Sequence, residues 1–457
     1  MIKSGFFVSC RMIHIRFVIT GLLVLLAFIR LCAQQTGGLM ETTIDTAQQR
    51  RLTTSLLKFE FLRISGYMQP QFQIGQTEGQ FSFNGGDFGP AVSNRFSVRR
   101  GRLRFDYTHY NDLNQATVLF VFQFDCTERG VFTRDFWGRF YENKYQLVHF
   151  TTGMFARPFG FELNYGSADR ESPERGRMSQ LLMRTERDLG AMISFEPRTP
   201  NHPLRKFRID AGFFNGQGLT GITDYDSKKD FISRLSLKPV KIGRAGITVT
   251  GSLSGFLGGF RQFTNNIYRN GGITESPRFA LDSSAANMGK TAPRRYYGAD
   301  VQLRIPNRKG FTELRGEVIA GTQTASQFST ESPGSIPTQN GINSPLFVRN
   351  FNGAYFYFLQ HLGSIKHQFV AKYDWYDPNT HVRGRQIRPD DKTTGNIGYS
   401  WANIRYNTLG LGYVYYVNEN LKSTVWYEFV RNEKTSLPGF ESDAKDNLLT
   451  LRLQYRF

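Results

Sequence analysis

From residue 58 to the C-terminus, apolar and polar positions alternate almost residue by residue. In the last stretch, NLLTLRLQYRF, Leu449, Leu451, Leu453, Tyr455 and Phe457 occupy one set of alternate positions. Thr450, Arg452, Gln454 and Arg456 occupy the other. Elsewhere, Phe207, Ile209, Ala211 and Phe213 alternate with Arg208 and Asp210, and Phe369, Ala371, Tyr373 and Trp375 with Gln368, Lys372 and Asp374. A period of two is the side-chain period of a β-strand. The stretch RRGRLRFDY obeys it too: as a strand it puts Arg100, Arg102 and Arg104 on one face, about 6.8 Å apart, and Leu103, Phe105 and Tyr107 on the other. No segment sustains an apolar stripe at the helical period.

Charges recur so often on the non-apolar face that this face cannot be a packed core. Strands of about ten residues, greasy on one side and wet on the other, suit an all-β, transmembrane antiparallel β-barrel facing lipid outside and water inside. The connectors alternate in length. Short ones are expected near 111–114, 142–144, 198–204, 238–243, 307–310, 361–364 and 417–420. Long ones are expected near 75–93, 157–188, 216–229, 256–293, 322–347, 377–401 and 432–445, with one short outer connector at 126–130. Seven turns and eight loops make about 16 strands, with turns and both termini in the periplasm.

The one long apolar run lies at the start, from Phe17 to Ile29, with Lys3, Arg11 and Arg16 before it and Leu31-Cys32-Ala33 after it. That arrangement reads as a signal peptide over 1–33, followed by a polar periplasmic segment over 34–57 and the outer-membrane barrel over 58–457. Composition agrees with dilution by alternation: 41 Phe and 21 Tyr in 457 residues, yet a mean hydropathy of −0.39. The formal charge is +19, and removing Lys3, Arg11, Arg16 and Arg30 with the leader leaves +15. On an exported chain such a balance points to small anions or acidic headgroups rather than to nucleic acid. Cys126 is the single cysteine after the leader, so neither a disulfide within the chain nor a cysteine metal site is expected. The final strand, ending on Phe457, resembles the signal that outer-membrane barrels present to the barrel-assembly machinery.

Two blocks carry a closer resemblance. RRGRLRFDYTHYNDLNQATVLFVFQFD (99–125) pairs a basic strand, a polar turn and an apolar strand. GMFARPFGFE (153–162) is followed by ERGRMSQLLMRTERDLGAMISFEP (174–197), a strand ending in G-x-F-x-x-P-F-x-x-E, a long loop, and a basic segment closing on R-D-x-G. Together they resemble the phosphate-selective porin O and P family over about 100 residues, from 95 to 197. The resemblance implies a sixteen-stranded homotrimeric barrel with its third long loop, here 157–188, folded into the lumen as a constriction. It further implies basic ladders there that strip water from phosphate and related anions. Ala156 and Arg157 stand where that family often carries lysine, and the loop's six basic residues are matched by six acids.

On this reading the anion pathway comprises Arg100, Arg102, Arg104, Arg157, Arg175, Arg177, Arg184 and Arg187. Arginine suits oxyanions because its planar fork pairs bidentately and keeps its charge. The opposing reading is that these arginines brace the wall by pairing with acids such as Asp106, Asp210, Asp300, Glu313, Glu317 and Asp374. No HExxH, Walker, G-x-S-x-G or Rossmann pattern lies on a suitable element, so no catalytic residue, metal or cofactor is expected. The expected function is passive passage of small anions, phosphate or related oxyanions, across the outer membrane. The alternatives are a general, carbohydrate or carboxylate porin, since Tyr296, Tyr376 and Trp426 phase inward, and a scaffold whose long loops bind a partner.

Overall fold

The computed structural model describes residues 61–221, 223–271, 278–390 and 397–457. The expected leader and the 34–57 segment lie outside these. Sixteen antiparallel strands close into a barrel. The first eight are β1 (Leu62–Gly75), β2 (Asn94–Tyr110), β3 (Ala116–Thr127), β4 (Gly130–Tyr141), β5 (Val148–Ala156), β6 (Arg187–Phe195), β7 (Phe207–Phe214) and β8 (Asp230–Ile242). The rest are β9 (Ile247–Arg261), β10 (Thr291–Asn307), β11 (Gly310–Ala325), β12 (Leu346–Leu362), β13 (Ser364–Asp377), β14 (Tyr406–Tyr416), β15 (Leu421–Asn432) and β16 (Leu448–Arg456). Two short strands, Asn266–Asn270 and Phe279–Ser283, extend the wall within the loop between β9 and β10.

β16 pairs with β1, so the sheet has no free edge, and even the terminal Phe457 exchanges backbone hydrogen bonds with Gly66. Closure is obligatory in lipid, where an unpaired backbone group has no water to turn to. The alternation sorts the faces as expected: Phe96, Ile193, Phe213 and Leu253 are exposed outward, whereas Gln71, Arg102, Thr450 and Gln454 are buried inward. The apolar exterior and closed topology make this a multi-pass outer-membrane β-barrel.

Most connectors fall where the sequence puts them; the loop expected at 256–293 starts only at 262, because β9 runs on to Arg261, the turn expected at 142–144 spans 142–147, and one turn is displaced. The turn expected at 238–243 forms at 243–246 instead, because β8 runs on to Ile242 through a register shift between Leu237 and Val240. Pro239 sits in that bulge, the one place in a paired strand that tolerates a residue without an N–H.

Candidate functional site

The chain leaves β5 at Ala156, crosses the lumen and returns to β6 at Arg187. The crossing is written in its contacts. Gly160 N donates to Ser254 Oγ on β9 at 3.0 Å, and the N–H groups of Phe161 and Glu162 donate to Glu317 on β11. Gly160 has φ +62 and its backbone lies against the Glu317 carboxylate, so a side chain there would be both strained and crowded. Farther along, Ala168 O accepts from Lys422 Nζ (2.7 Å) and Gln454 Nε2 (2.8 Å), and Ser167 Oγ meets Tyr67 Oη at 2.6 Å. β9, β11, β15, β16 and β1 are thereby tied to one loop.

Hydrophobic packing drives the insertion. Phe159, Leu163 and the helical turn α1 (Arg177–Leu182) with Met183 press apolar side chains against inward-facing Phe155, Met192, Phe214, Ile232, Phe256, Tyr296 and Ile319. Each such side chain contributes about 2 kcal/mol once removed from water. This half of the lumen is therefore a dry core. Across it, Tyr355, Leu359, Val370, Val414 and Trp426 form a second inward cluster. The indole of Trp426 lies over Gly410 and Gly412, where any Cβ would collide with the ring. Its Nε1 donates to Glu428 at 2.9 Å.

Ion pairs fasten the loop around that core. Glu174 binds three guanidinium groups: Arg99 Nε at 2.8 Å, Arg100 Nη2 at 2.5 Å and Arg452 Nη2 at 3.2 Å. Arg99 and Arg100 are sequence neighbours, so in a regular strand only one could face inward. A bulge, where the register with β1 jumps between Met68 and Pro70, changes the parity of β2 and turns both inside. Glu171 takes Arg315 bidentately at 2.8 and 2.9 Å. Glu162 accepts from Gly176 N and Ser179 Oγ and pairs with Lys372 at 3.3 Å. Glu186 gathers Arg134, Arg175 and Arg187. Burial pushes the Glu174 and Glu186 carboxyls up, but the surrounding arginines outweigh it and hold both well below the usual carboxylate range.

The sequence-derived arginines can now be placed. Arg100 is on Glu174. Arg102 pairs with Asp125 at 3.5 Å and donates to Ser167 Oγ at 2.9 Å. Arg104 pairs with Asp106 at 2.7 Å, Arg157 with Asp188 at 3.7 Å and Arg175 with Glu186 at 3.5 Å. Arg184 pairs with Glu331 at 2.9 Å and Arg187 with Asp135 at 3.1 Å. Arg177 makes no ion pair among the described residues; its guanidinium sits between Phe83 (4.3 Å) and Tyr406 (3.5 Å). Of the three sequence-derived arginines on β2, Arg104 retains the most contact with the lumen, its side chain 31% exposed against 7% and 6% for Arg100 and Arg102. Tyr296, Tyr376 and Trp426 do face inward, but they are fully buried in the two apolar clusters and offer no ring face to a solute.

Nearer the turns the lumen changes character. Arg208 pairs with Asp210 and Glu196, Lys238 with Glu196, Arg234 with Asp300 and Arg304 with Glu313, all partly exposed. Among them stands Arg139 on β4, which only donates to Thr151 Oγ1 (3.0 Å) and overlies Trp137. It makes no ion pair among the described residues. Neither do Arg63, in register with Asp106 on β2, nor Lys366, two residues before the inward Gln368. Arg139 and Arg63 are absent from the sequence-derived set. The alternation in DFWGRFY, with Asp135, Trp137 and Arg139 in phase, was the signal that could have found Arg139.

No protein-family model matches the chain, and no curated protein matches it. Solved structures do. Against OprB of Pseudomonas putida the TM-score is 0.52 at 10% identity, covering 87% of this chain and 94% of that one. The outer membrane channel DcaP of Acinetobacter baumannii scores 0.49 at 10% identity, covering 87% and 97%. An anion-selective porin from Comamonas acidovorans scores 0.46 at 11% identity, covering 87% and 99%. At 10% identity the likeness to OprB is one of fold: this chain has the fold of an outer-membrane porin.

Proposed function

We propose that the barrel passes small anions across the outer membrane by passive diffusion, without catalysis. The observation that carries this reading is Arg139, a lumen-facing guanidinium with no ion-pair partner among the described residues, reinforced by Lys366 in the same half. Apart from Arg177, which is stacked between two rings, the other partly exposed inward cations described above are ion-paired, and Arg63 stands across from Asp106, so Arg139 and Lys366 carry the positive charge least cancelled by acids. Across 4 Å a unit charge attracts an anion by about 4 kcal/mol at an effective dielectric of about 20, and by about 1 in bulk water. That is strong enough to favour entry and weak enough to allow release.

In this reading the eight sequence-derived arginines divide. Arg104 joins Arg139 in the pathway. Arg100, Arg102, Arg157, Arg175 and Arg187 hold the constriction in place, Arg177 stacks at its mouth and Arg184 pairs with the loop before β12. Phosphate and related oxyanions are the proposed solutes because guanidinium forks match them. A homotrimer, and handling of the Phe457-ended strand by the assembly machinery, belong to the same proposal through the family resemblance.

The test is the zero-current potential of the purified protein in a planar bilayer under a KCl gradient, followed by phosphate titration. Chloride preference that phosphate blocks supports the proposal. Cation preference overturns it.

A further inference from the structure

On the side opposite the turns, residues 327–328, 389–390, 399–401, 437–438 and 440, from three loops, line a cleft of about 360 Å³. We propose that this cleft is a saccharide-binding site, set ahead of the lumen and independent of its ion preference. Tyr399 is buried in its floor, and Trp401 and Phe328 stand at its rim, each about half exposed (53% and 49%). Gln327 and Asp390 add a polar edge. The volume falls in the range of small-ligand pockets.

The cleft is preformed. Beneath it the loops carry their own apolar core, including Phe279, Phe347, Ile387 and Leu437. The fully buried Arg349 binds the floor together: Nε donates to Asn403 Oδ1 at 2.9 Å and Nη2 to Gln327 O at 3.0 Å. Ser400 Oγ donates to the same carbonyl at 2.6 Å. A site that does not reorganise on binding loses little affinity to ordering.

The lining selects the occupant. An acyl chain would cover the aromatic rings but would strip water from Asp390, which makes no ion pair among the described residues; that desolvation is costly. An anion would meet the same carboxylate unfavourably. A compact cation such as a quaternary ammonium is far smaller than the cavity, and Tyr399 turns its ring into the loop core against Phe279, so no closed aromatic box surrounds it. A pyranose meets both demands. Its C–H face stacks on the Trp401 indole, and its hydroxyl edge reaches Asp390. There Oδ1 is engaged by Gly398 N (2.9 Å) and Gln327 Nε2 (3.1 Å), while among the described residues Oδ2 has only a long 3.4 Å contact.

Isothermal titration calorimetry on the full-length protein in lipid nanodiscs, free of glycosidic detergent, tests this with maltose and cellobiose. Saturable binding of at least one disaccharide is expected. Trp401→Ala should weaken it at least tenfold and Asp390→Asn several-fold, in variants whose heat-modifiable migration shows an intact barrel. Absence of saturable heat with both sugars, or sugar binding that both substitutions leave unchanged, overturns the proposal. So does Trp401-dependent binding of choline or octanoate in place of the sugars.

Discussion

The two halves of the lumen hold the same residue type and use it differently. Around the inserted loop, Arg100, Arg315 and Arg452 are buried and bonded to carboxylates; nearer the turns, Arg104, Arg139, Arg208 and Arg304 keep part of their surface in water. A buried guanidinium needs partners, because leaving it uncompensated costs several kcal/mol; Arg100, Arg315 and Arg452 take carboxylates, whereas Arg349 among the loops takes Asn403 and the Gln327 carbonyl. A half-exposed one can stay unpaired, since water carries most of its field. Burial therefore separates arginines that hold the constriction from those that face a solute.

The largest effect is expected where the clamp is cut. Glu174→Ala leaves three guanidinium groups without their acid, which should cost about 3–5 kcal/mol. Thermal unfolding followed by circular dichroism should fall accordingly, and single-channel conductance should rise as the loop loosens. Unchanged conductance would show that apolar packing alone seats the loop. Leu182→Ala probes that packing and should cost about 2–4 kcal/mol, again read by thermal unfolding, with no change in ion preference. Arg139→Ala should do the reverse. Its effect on stability is expected to stay within about 0.5 kcal/mol, while the anion-to-cation permeability ratio drops about twofold. Equal effects of Arg139→Ala and Arg100→Ala on ion preference would erase the distinction between the halves.

The smallest effects concern pH. A carboxyl held below its unfolded value stabilises the fold at neutral pH and loses that contribution only as pH falls through the folded value. With Glu174 held well below the usual range, the drop in unfolding temperature caused by Glu174→Ala should be nearly the same at pH 4.5 as at pH 7. Asp446, in the loop before β16, has the opposite sign: burial pushes it up to about 6. Its protonated form is favoured in the fold, so stability is gained as pH falls from about 6 toward 4. Asp446→Asn should therefore raise the unfolding temperature slightly at pH 8 and not at pH 4.

The barrel was legible because alternation is a local signal repeated sixteen times, and each strand of NLLTLRLQYRF type states its own orientation. The loop's passage into the lumen entered through the family resemblance, and its apolar residues, Phe159, Leu163, Met178 and Leu182, are too irregularly spaced to announce a face. Pairing was hidden for a different reason. Glu174 meets Arg452 across 278 positions of sequence, and the inward turn of Arg99 depends on a bulge that no residue type signals. Counting six acids against six bases in the loop hinted at balance; only the fold shows that most partners come from the wall.

The indole of Trp426 resting on Gly410 and Gly412 has a consequence for assembly. Neighbouring strands with strict alternation can slide past one another by two residues and still keep every greasy side chain outward. In the native alignment Trp426 sits directly across from Gly412, with Gly410 diagonal to it. Sliding by two in either direction would bring Thr408 or Val414 beside the ring. The pair works as a key cut for one alignment of β14 with β15, a check on register that the lipid-facing surface cannot supply.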